Sequence, residues 1–213
     1  MGAGLVYEAR THKALPPNKD NPMHARILGL AAAAACLAVP VHAAVVLADA
    51  AGTYTVSPAG SSIRFSIGKA GGGGFNGAFG RFKGTIRIDN GDVGRSKVDL
   101  VIYPESVGTG QPRIYAFLRS DAVFDAANSP EIQFRSTSVT RTGDRTALVT
   151  GQLTARGKTS TEKFTAELDG LQGGTIKFHV TGKVLRSRYG MDVGTPLYSN
   201  VVDFDMSLTG RRG

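Results

Sequence analysis

The sequence predicts an all-β protein in which antiparallel strands close into a barrel or fold into a sandwich. Two observations predict this fold class. Apolar and polar residues alternate with a period of two in about eight segments, and turn-forming residues separate these segments at short intervals. The 213 residues contain neither an internal repeat nor an obvious linker, so a single folded domain is expected.

The first alternating segment shows the pattern. Ile63, Phe65 and Ile67 share one face of the predicted strand, and Arg64 and Ser66 lie on the other. Each later segment likewise opposes apolar to polar residues, as expected for an antiparallel sheet with one buried and one solvated face. These later strands are predicted around Ile86 and Ile88; Val98, Leu100 and Ile102; Ile132 and Phe134; residues 148–153; Phe164, Ala166 and Leu168; Ile176, Phe178 and Val180; and Val202, Phe204, Met206 and Leu208.

One interval of the chain departs from the alternation. Turn signals at residues 90–92, 142–144, 156–158 and 170–174 join the other strands in chain order, as in an up-and-down meander. Between Pro104 and Pro130 there is no alternation, and Tyr115 and Leu118 have helical spacing. This interval predicts a short helix or a long covering loop between two strands.

Residues 1–43 are predicted to be a leader that precedes a β domain of residues 44–213. Within residues 23–43, Arg26 is followed by an apolar run and then by small residues up to Ala43, which is a signal-peptide pattern. The pattern predicts export, so we expect a periplasmic or secreted protein.

The leader leaves alternatives open. Residues 1–22 resemble an over-extended translation start, with Met23 as the initiator. The apolar run also fits a buried or membrane-anchoring helix. In addition, the residues before Cys36 resemble a lipidation signal, so lipidation of Cys36 is a further alternative.

The composition disfavours several kinds of catalytic centre. Cleavage after Ala43 would leave no cysteine and, of the four histidines, only His179. Thiol chemistry and Cys-rich or His-rich metal sites are therefore disfavoured. His179 alternates with Phe178 and Val180, which places it on a solvent-facing strand surface. We expect no catalytic residue, no metal and no cofactor, and a protein that is not an enzyme.

The net charge of +8 leaves two kinds of partner open. The basic residues are spread along strand faces without a long run, which is compatible with an anionic ligand or with transient contact with a membrane surface. The sequence has neither a base-reading helix nor an aromatic and basic motif that would contact bases. No nucleic-acid partner is therefore expected.

Five segments in order are similar to a known family. They are residues 54–67, residues 77–86, residues 118–136 with Pro130-Glu131-Ile132-Gln133-Phe134, residues 151–157 with Gly151-Gln152-Leu153-Thr154, and Arg186-Ser187-Arg188-Tyr189-Gly190-Met191. In this order they resemble the YceI-like family of exported, lipocalin-like proteins that bind polyisoprenoid lipids. The resemblance implies an extended eight-stranded antiparallel barrel with a long hydrophobic tunnel. It also implies an isoprenoid ligand, such as a quinone or a polyprenyl phosphate, held in the cell envelope.

The candidate ligand-binding residues follow from the resemblance and from the apolar faces of the strands. An ordinary packed core is the alternative reading of the aromatic residues, and structural pairing is the alternative for the arginines. The candidates for the tunnel lining are Phe65, Phe79, Phe82, Phe124, Phe134, Phe164, Phe178 and Met191, with Arg119 or Arg186 near a polar head group. Gly60 and Ala70 stand where family members often carry histidines, which leaves the head-group specificity open.

Two other functions remain possible on the sequence. A barrel filled by its own side chains would serve as an interaction module, for instance as an accessory to an envelope redox protein. An envelope enzyme would need a polar cluster in the cavity, built around His179 or a carboxylate.

Overall fold

The computed structural model describes residues 46–213. The predicted signal peptide, its cleavage after Ala43 and the possible lipidation of Cys36 lie outside the described residues. Within the described range, no helix combines the length and the apolar character needed to cross a membrane.

The described chain is built almost entirely of strands. The strands are β1 (Gly52–Val56), β2 (Ser62–Gly68), β3 (Gly74–Phe79), β4 (Phe82–Ile88), β5 (Lys97–Ile102), β6 (Val107–Gly108), β7 (Ile132–Arg141), β8 (Thr146–Ala155), β9 (Lys158–Gln172), β10 (Thr175–Leu185) and β11 (Val201–Arg212). One α-helix, α1 (Pro112–Arg119), lies between β6 and β7, and short 3-10 helices span Leu47–Ala50, Val93–Arg95, Pro104–Ser106 and Arg186–Tyr189. Of the short helix and the long covering loop that the sequence left open between Pro104 and Pro130, the structure shows the short helix. Every apolar set named above lies on a strand.

Three pairs of short strands each form one long strand of a barrel. β1 and β2 lie end to end along β11, where Tyr54 pairs with Arg212 and Ile63 pairs with Met206. The second long strand consists of β4, which pairs with β1, and β3, which pairs with β2. The third consists of β5, which pairs with β4, and β6, which pairs with β3. The sheet then continues through β7, β8, β9, β10 and β11 and closes on β1. With each pair counted once, this is a closed eight-stranded antiparallel barrel, and the predicted fold class is confirmed.

The two ends of the barrel are formed by different segments. The 3-10 helix Leu47–Ala50 lies at one end, where the amide of Leu47 donates to the carbonyl of Asp144 at 2.9 Å; we call this the Leu47 end. The helix α1, the hairpin turn at residues 69–73 and the segment of residues 186–200 lie at the other end, which we call the α1 end. Arg156 joins two of these parts, since its guanidinium donates to the carbonyls of Gly190 at 2.7 Å and Asp121 at 2.8 Å.

Phenylalanine rings lie over glycines of neighbouring strands. Phe65 stands opposite Gly77 across β2 and β3, and Phe164 stands opposite Gly182 across β9 and β10. A Cβ added to either glycine would lie well under 3.0 Å from the facing ring, closer than real Cβ atoms approach. The rings therefore occupy the space that side chains on these strands would fill, and they are held against the barrel wall.

Replacing one of these glycines is expected to displace its ring. Gly182→Ala should lower the free energy of unfolding by about 1–3 kcal/mol, because the new methyl group overlaps the ring of Phe164. Urea unfolding monitored by circular dichroism measures the change. Gly170→Ala, on β9, is the matched control, since nothing lies within 4 Å of its added Cβ. Equal stability of the two variants would contradict the proposed role of Gly182.

Candidate functional site

An apolar cavity of about 170 Å³ runs through the barrel. Its lining extends from Leu47, Val93 and Val139 near the Leu47 end to Phe124 and Met191 at the α1 end. Among the described residues that line it, only Ser96, Arg186 and Tyr189 carry polar side-chain groups. The inward faces of the alternating strands produce this wall, because every second residue points to the lumen.

Six phenylalanine rings form a continuous chain of aromatic contacts along the cavity. Phe124, Phe79, Phe65, Phe204, Phe164 and Phe134 follow one another, with successive ring centroids 5.6, 5.4, 6.3, 6.3 and 5.3 Å apart. All five contacts are tilted or edge-to-face, which avoids the face-to-face stacking that the aromatic quadrupole disfavours. All six rings line the cavity.

The structure brings most of the predicted tunnel residues together. The predicted residues that line the cavity are Phe65, Phe79, Phe124, Phe134, Phe164, Phe178, Met191 and Arg186. Phe82 is buried on the same inward face as Ile86 but is not part of the lining. Phe204 lines the cavity although it was not predicted to do so, and its place in the alternation of β11 was the available signal.

Arg119 lies away from the cavity. Its side chain is exposed at the end of α1, and its guanidinium lies 5.0 Å from the ring centroid of Tyr115. Residues 115 and 119 are one helical turn apart, so this contact forms within the helix. The inward position of the helix is taken by Leu118, which is 2 % exposed. The structure therefore does not place Arg119 near a polar head group in the cavity.

Arg186 is a buried cation held by backbone oxygens. Its guanidinium donates to the carbonyls of Ser199 at 2.8 Å, Val193 at 2.8 Å and Tyr198 at 3.3 Å, and also to the carbonyl of Met191. Burial lowers the pKa of Arg186 from its ordinary value, while the charge of Asp192 raises it. These four hydrogen bonds fold residues 191–199 around the guanidinium at the α1 end of the cavity.

A second polar cluster joins β9 to the segment that follows β10. Glu162 shares the inward face of β9 with Phe164, and its side chain is 5 % exposed. Its Oε1 accepts hydrogen bonds from the hydroxyl of Tyr189 at 2.9 Å and from Nη1 of Arg188 at 3.2 Å. Burial, together with the hydrogen bond to Glu162, raises the pKa of the Tyr189 hydroxyl well above its ordinary value. The hydroxyl therefore remains a donor at neutral pH.

Sequence reasoning missed this cluster, although a signal was present. Glu162 is in phase with Phe164, Ala166 and Leu168, so the same period of two that marked an apolar face placed a carboxylate on it. A buried carboxylate requires partners that neutralise it, and those partners come from a segment distant in sequence.

His179 lies on the outer face of β10, as predicted. Its side chain is 42 % exposed, and its Nε2 lies 3.3 Å from Oδ2 of Asp205 on β11. Arg64 also reaches Asp205, at 2.9 Å. Within residues 46–213, histidine, aspartate and glutamate side chains do not gather in a group of three or more that could hold a metal ion.

Comparison with known proteins identifies the family of this barrel. The family model of the YceI-like domain matches residues 54–210, which cover all eight strands. The chain belongs to the YceI-like family. Protein YceI of Escherichia coli is 30% identical over 139 residues, which cover 63% of this chain and 72% of the relative.

Two solved structures share the fold of this YceI-like chain. BcnA of Burkholderia cenocepacia superposes with a TM-score of 0.67 at 22% identity, covering 72% of this chain and 98% of that protein. A polyisoprenoid binding domain from Saccharophagus degradans, implicated in plant cell wall breakdown, superposes with a TM-score of 0.61 at 17% identity. The match covers 76% of this chain and 99% of that domain.

Removing the buried guanidinium is expected to destabilise the α1 end. Arg186→Gln should lower the free energy of unfolding by about 1–3 kcal/mol, because buried carbonyls that now accept its hydrogen bonds would lose their donors. Thermal and urea unfolding measure the effect. Arg135→Gln is the control, because that side chain is 76% exposed and its ion pair with Asp99 is long, at 3.9 Å. This substitution should change the free energy of unfolding by less than about 0.5 kcal/mol. Unchanged stability of Arg186→Gln would show that the four hydrogen bonds do not hold this segment.

Proposed function

We propose that this YceI-like protein binds one long-chain isoprenoid lipid in its barrel without chemical turnover. The ligand is of the quinone or polyprenyl phosphate type, and the protein acts in the cell envelope. The observation that carries the proposal is the apolar cavity that extends along the barrel and is walled by phenylalanine rings.

The shape of the cavity supports a slender ligand. Its volume of about 170 Å³ lies below the range of roughly 300–1,000 Å³ that is usual for compact small molecules. Because its lining nevertheless reaches residues from both ends of the barrel, the space is long and narrow. A hydrocarbon chain fits such a space better than a fused ring system does.

Apolar burial supplies the affinity. Burial of one methylene group contributes about 0.8 kcal/mol, so a five-carbon isoprene unit contributes roughly 3–4 kcal/mol before ordering costs. The part of the chain held in the cavity therefore contributes affinity without a specific polar contact. The proposal therefore assigns ligand contact to Phe65, Phe79, Phe134 and Phe164 together with Phe204 at the centre of the ring chain.

The polar groups at the α1 end support a head group placed there. Arg186 and Tyr189 line the cavity, and a guanidinium stays protonated at neutral pH. It carries five N–H donors, of which the four carbonyls engage four. A phosphate or quinone oxygen at this end would meet a cation rather than an apolar wall.

Three further observations support the proposal. The similar fold of a domain named for polyisoprenoid binding agrees with the ligand class. The signal-peptide pattern of residues 23–43 supports a periplasmic or secreted location. An open, elongated lumen favours a carrier over the alternative of a barrel filled by its own side chains, which would act as an accessory module.

Blocking the lumen is expected to abolish lipid uptake. Ala166→Phe places a ring inside the cavity, whereas Thr165→Phe places the same ring on the outer face of β9. We expect Ala166→Phe to reduce uptake of a long-chain isoprenoid alcohol at least tenfold and Thr165→Phe to leave it unchanged. Native mass spectrometry of each protein, with organic extraction of the bound lipid, measures the uptake.

The same experiment tests the proposal as a whole. The wild-type protein is expected to retain a co-purifying isoprenoid, or to take one up at a ratio of one lipid per protein. A wild-type protein that neither co-purifies with lipid nor takes up an isoprenoid would refute the proposed function. Equal uptake by the Ala166→Phe and Thr165→Phe variants would show that the lipid binds outside the lumen.

A further inference from the structure

The exposed large apolar side chains of the described residues all lie at one end of the barrel. They are Phe117, Val193 and Leu197, which are 48%, 41% and 51% exposed. Phe117 belongs to α1, and the other two belong to the segment of residues 186–200, so all three lie at the α1 end. Exposed apolar groups gathered at one end of a folded domain are typical of a contact surface.

The helix α1 presents one of these side chains outward. Leu118 is buried and Ile114 packs against the core, and these two residues are one turn apart. Arg113 and Phe117 are also one turn apart, and both are exposed. The outer face of the helix therefore carries an aromatic ring directly beside a cation.

Hydrogen bonds hold the other two side chains outward. The carbonyl of Val193 accepts from Arg186 at 2.8 Å, and the carbonyl of Leu197 accepts from the amide of Ala70 at 2.9 Å. The ring of Tyr198 packs against Phe75, with centroids 5.9 Å apart. Because the backbone of this segment is tied at these points, Val193 and Leu197 are presented to solvent by an ordered structure.

The apolar residues are accompanied by cations that have no carboxylate partner. Lys69, Arg113, Arg119 and Lys158 are exposed at the α1 end, and none belongs to an ion pair between described residues. In residues 109–130 and 186–200, which lie at this end, the exposed carboxylates are Asp121 and Asp192. The exposed cations named above therefore outnumber them.

The Leu47 end has a different character. There Arg95 pairs with Asp89 and Arg141 pairs with Asp144, although exposed cations outside these pairs, such as Lys97 and Arg211, occur there too. No large apolar side chain of the described residues is exposed at that end. The α1 end is therefore distinguished by its exposed apolar groups, which lie at the same end as exposed cations.

We propose that the α1 end docks on an anionic lipid bilayer. Phe117 and Leu197 enter the headgroup region, while the surrounding Lys and Arg side chains contact anionic headgroups, the combination used by peripheral membrane proteins. The cavity lining reaches the same end through Leu118, Phe124 and Met191. Docking at this end therefore brings the bilayer close to one end of the cavity. The docking itself does not depend on which lipid fills the lumen.

Vesicle co-sedimentation tests the docking. The probes are vesicles of phosphatidylcholine alone and vesicles of phosphatidylcholine mixed with phosphatidylglycerol. We expect binding to the anionic vesicles only, with weakening as salt is added. The double variant Phe117→Ser, Leu197→Ser should lose about tenfold in partition coefficient. The double variant Lys69→Gln, Arg113→Gln should lose about twenty-five-fold, from about fivefold for each cation at an anionic surface.

The matched control removes the same charge from the other end. Lys97→Gln, Arg211→Gln should bind anionic vesicles as the wild-type protein does, apart from the small long-range effect of net charge. Equal loss in this control, equal binding to both kinds of vesicle, or no binding at all would overturn the proposal. Circular dichroism confirms that each variant is folded. Isoprenoid uptake from solution without vesicles, measured on the same variants, separates failure of docking from failure of lumen binding.

Discussion

The pairing of the first and last strands is the interaction on which the rest of the structure depends. β11 carries β10 along one edge and both β1 and β2 along the other, so a contact between distant parts of the chain closes the sheet. Closure removes the free edges of the sheet and gives the inward faces a common interior. Without it the apolar faces would have to pack on a second layer, and there would be no enclosed lumen.

A closed barrel of eight strands is narrow enough to be filled by its own side chains, and here glycines prevent this. The rings of Phe65 and Phe164 lie over Gly77 and Gly182, so large side chains cover the wall instead of projecting across the lumen. The many glycines and phenylalanines of the sequence therefore have a shared structural role, because a ring that lies over a glycine forms part of the apolar barrel wall. The polar groups are concentrated at the α1 end, where Arg186 and Glu162 tie distant segments together.

The sequence predicted the strands well because the period of two is imposed locally. It missed β1, β3 and the two-residue β6 as alternating segments. In β3 the glycines interrupt the apolar pattern. The candidate site was harder to predict. Phe82 faces inward like its neighbours, but whether an inward side chain reaches the lumen depends on how the opposite wall is shaped. From the sequence, Arg119 and Arg186 were equally good candidates for a position near a polar head group. In the structure only Arg186 lines the cavity. The carbonyls that hold it belong to a loop whose path no local sequence pattern specifies.

The narrowness of the lumen also sets an order of events. A space that is long in one direction and slender in the other two admits a chain only end first, and it leaves no room for two chains to pass one another. One occupant must therefore leave before another enters. The time needed for exchange should grow with the length of the chain, even among ligands with the same head group, because every added unit has to slide past the same aromatic rings.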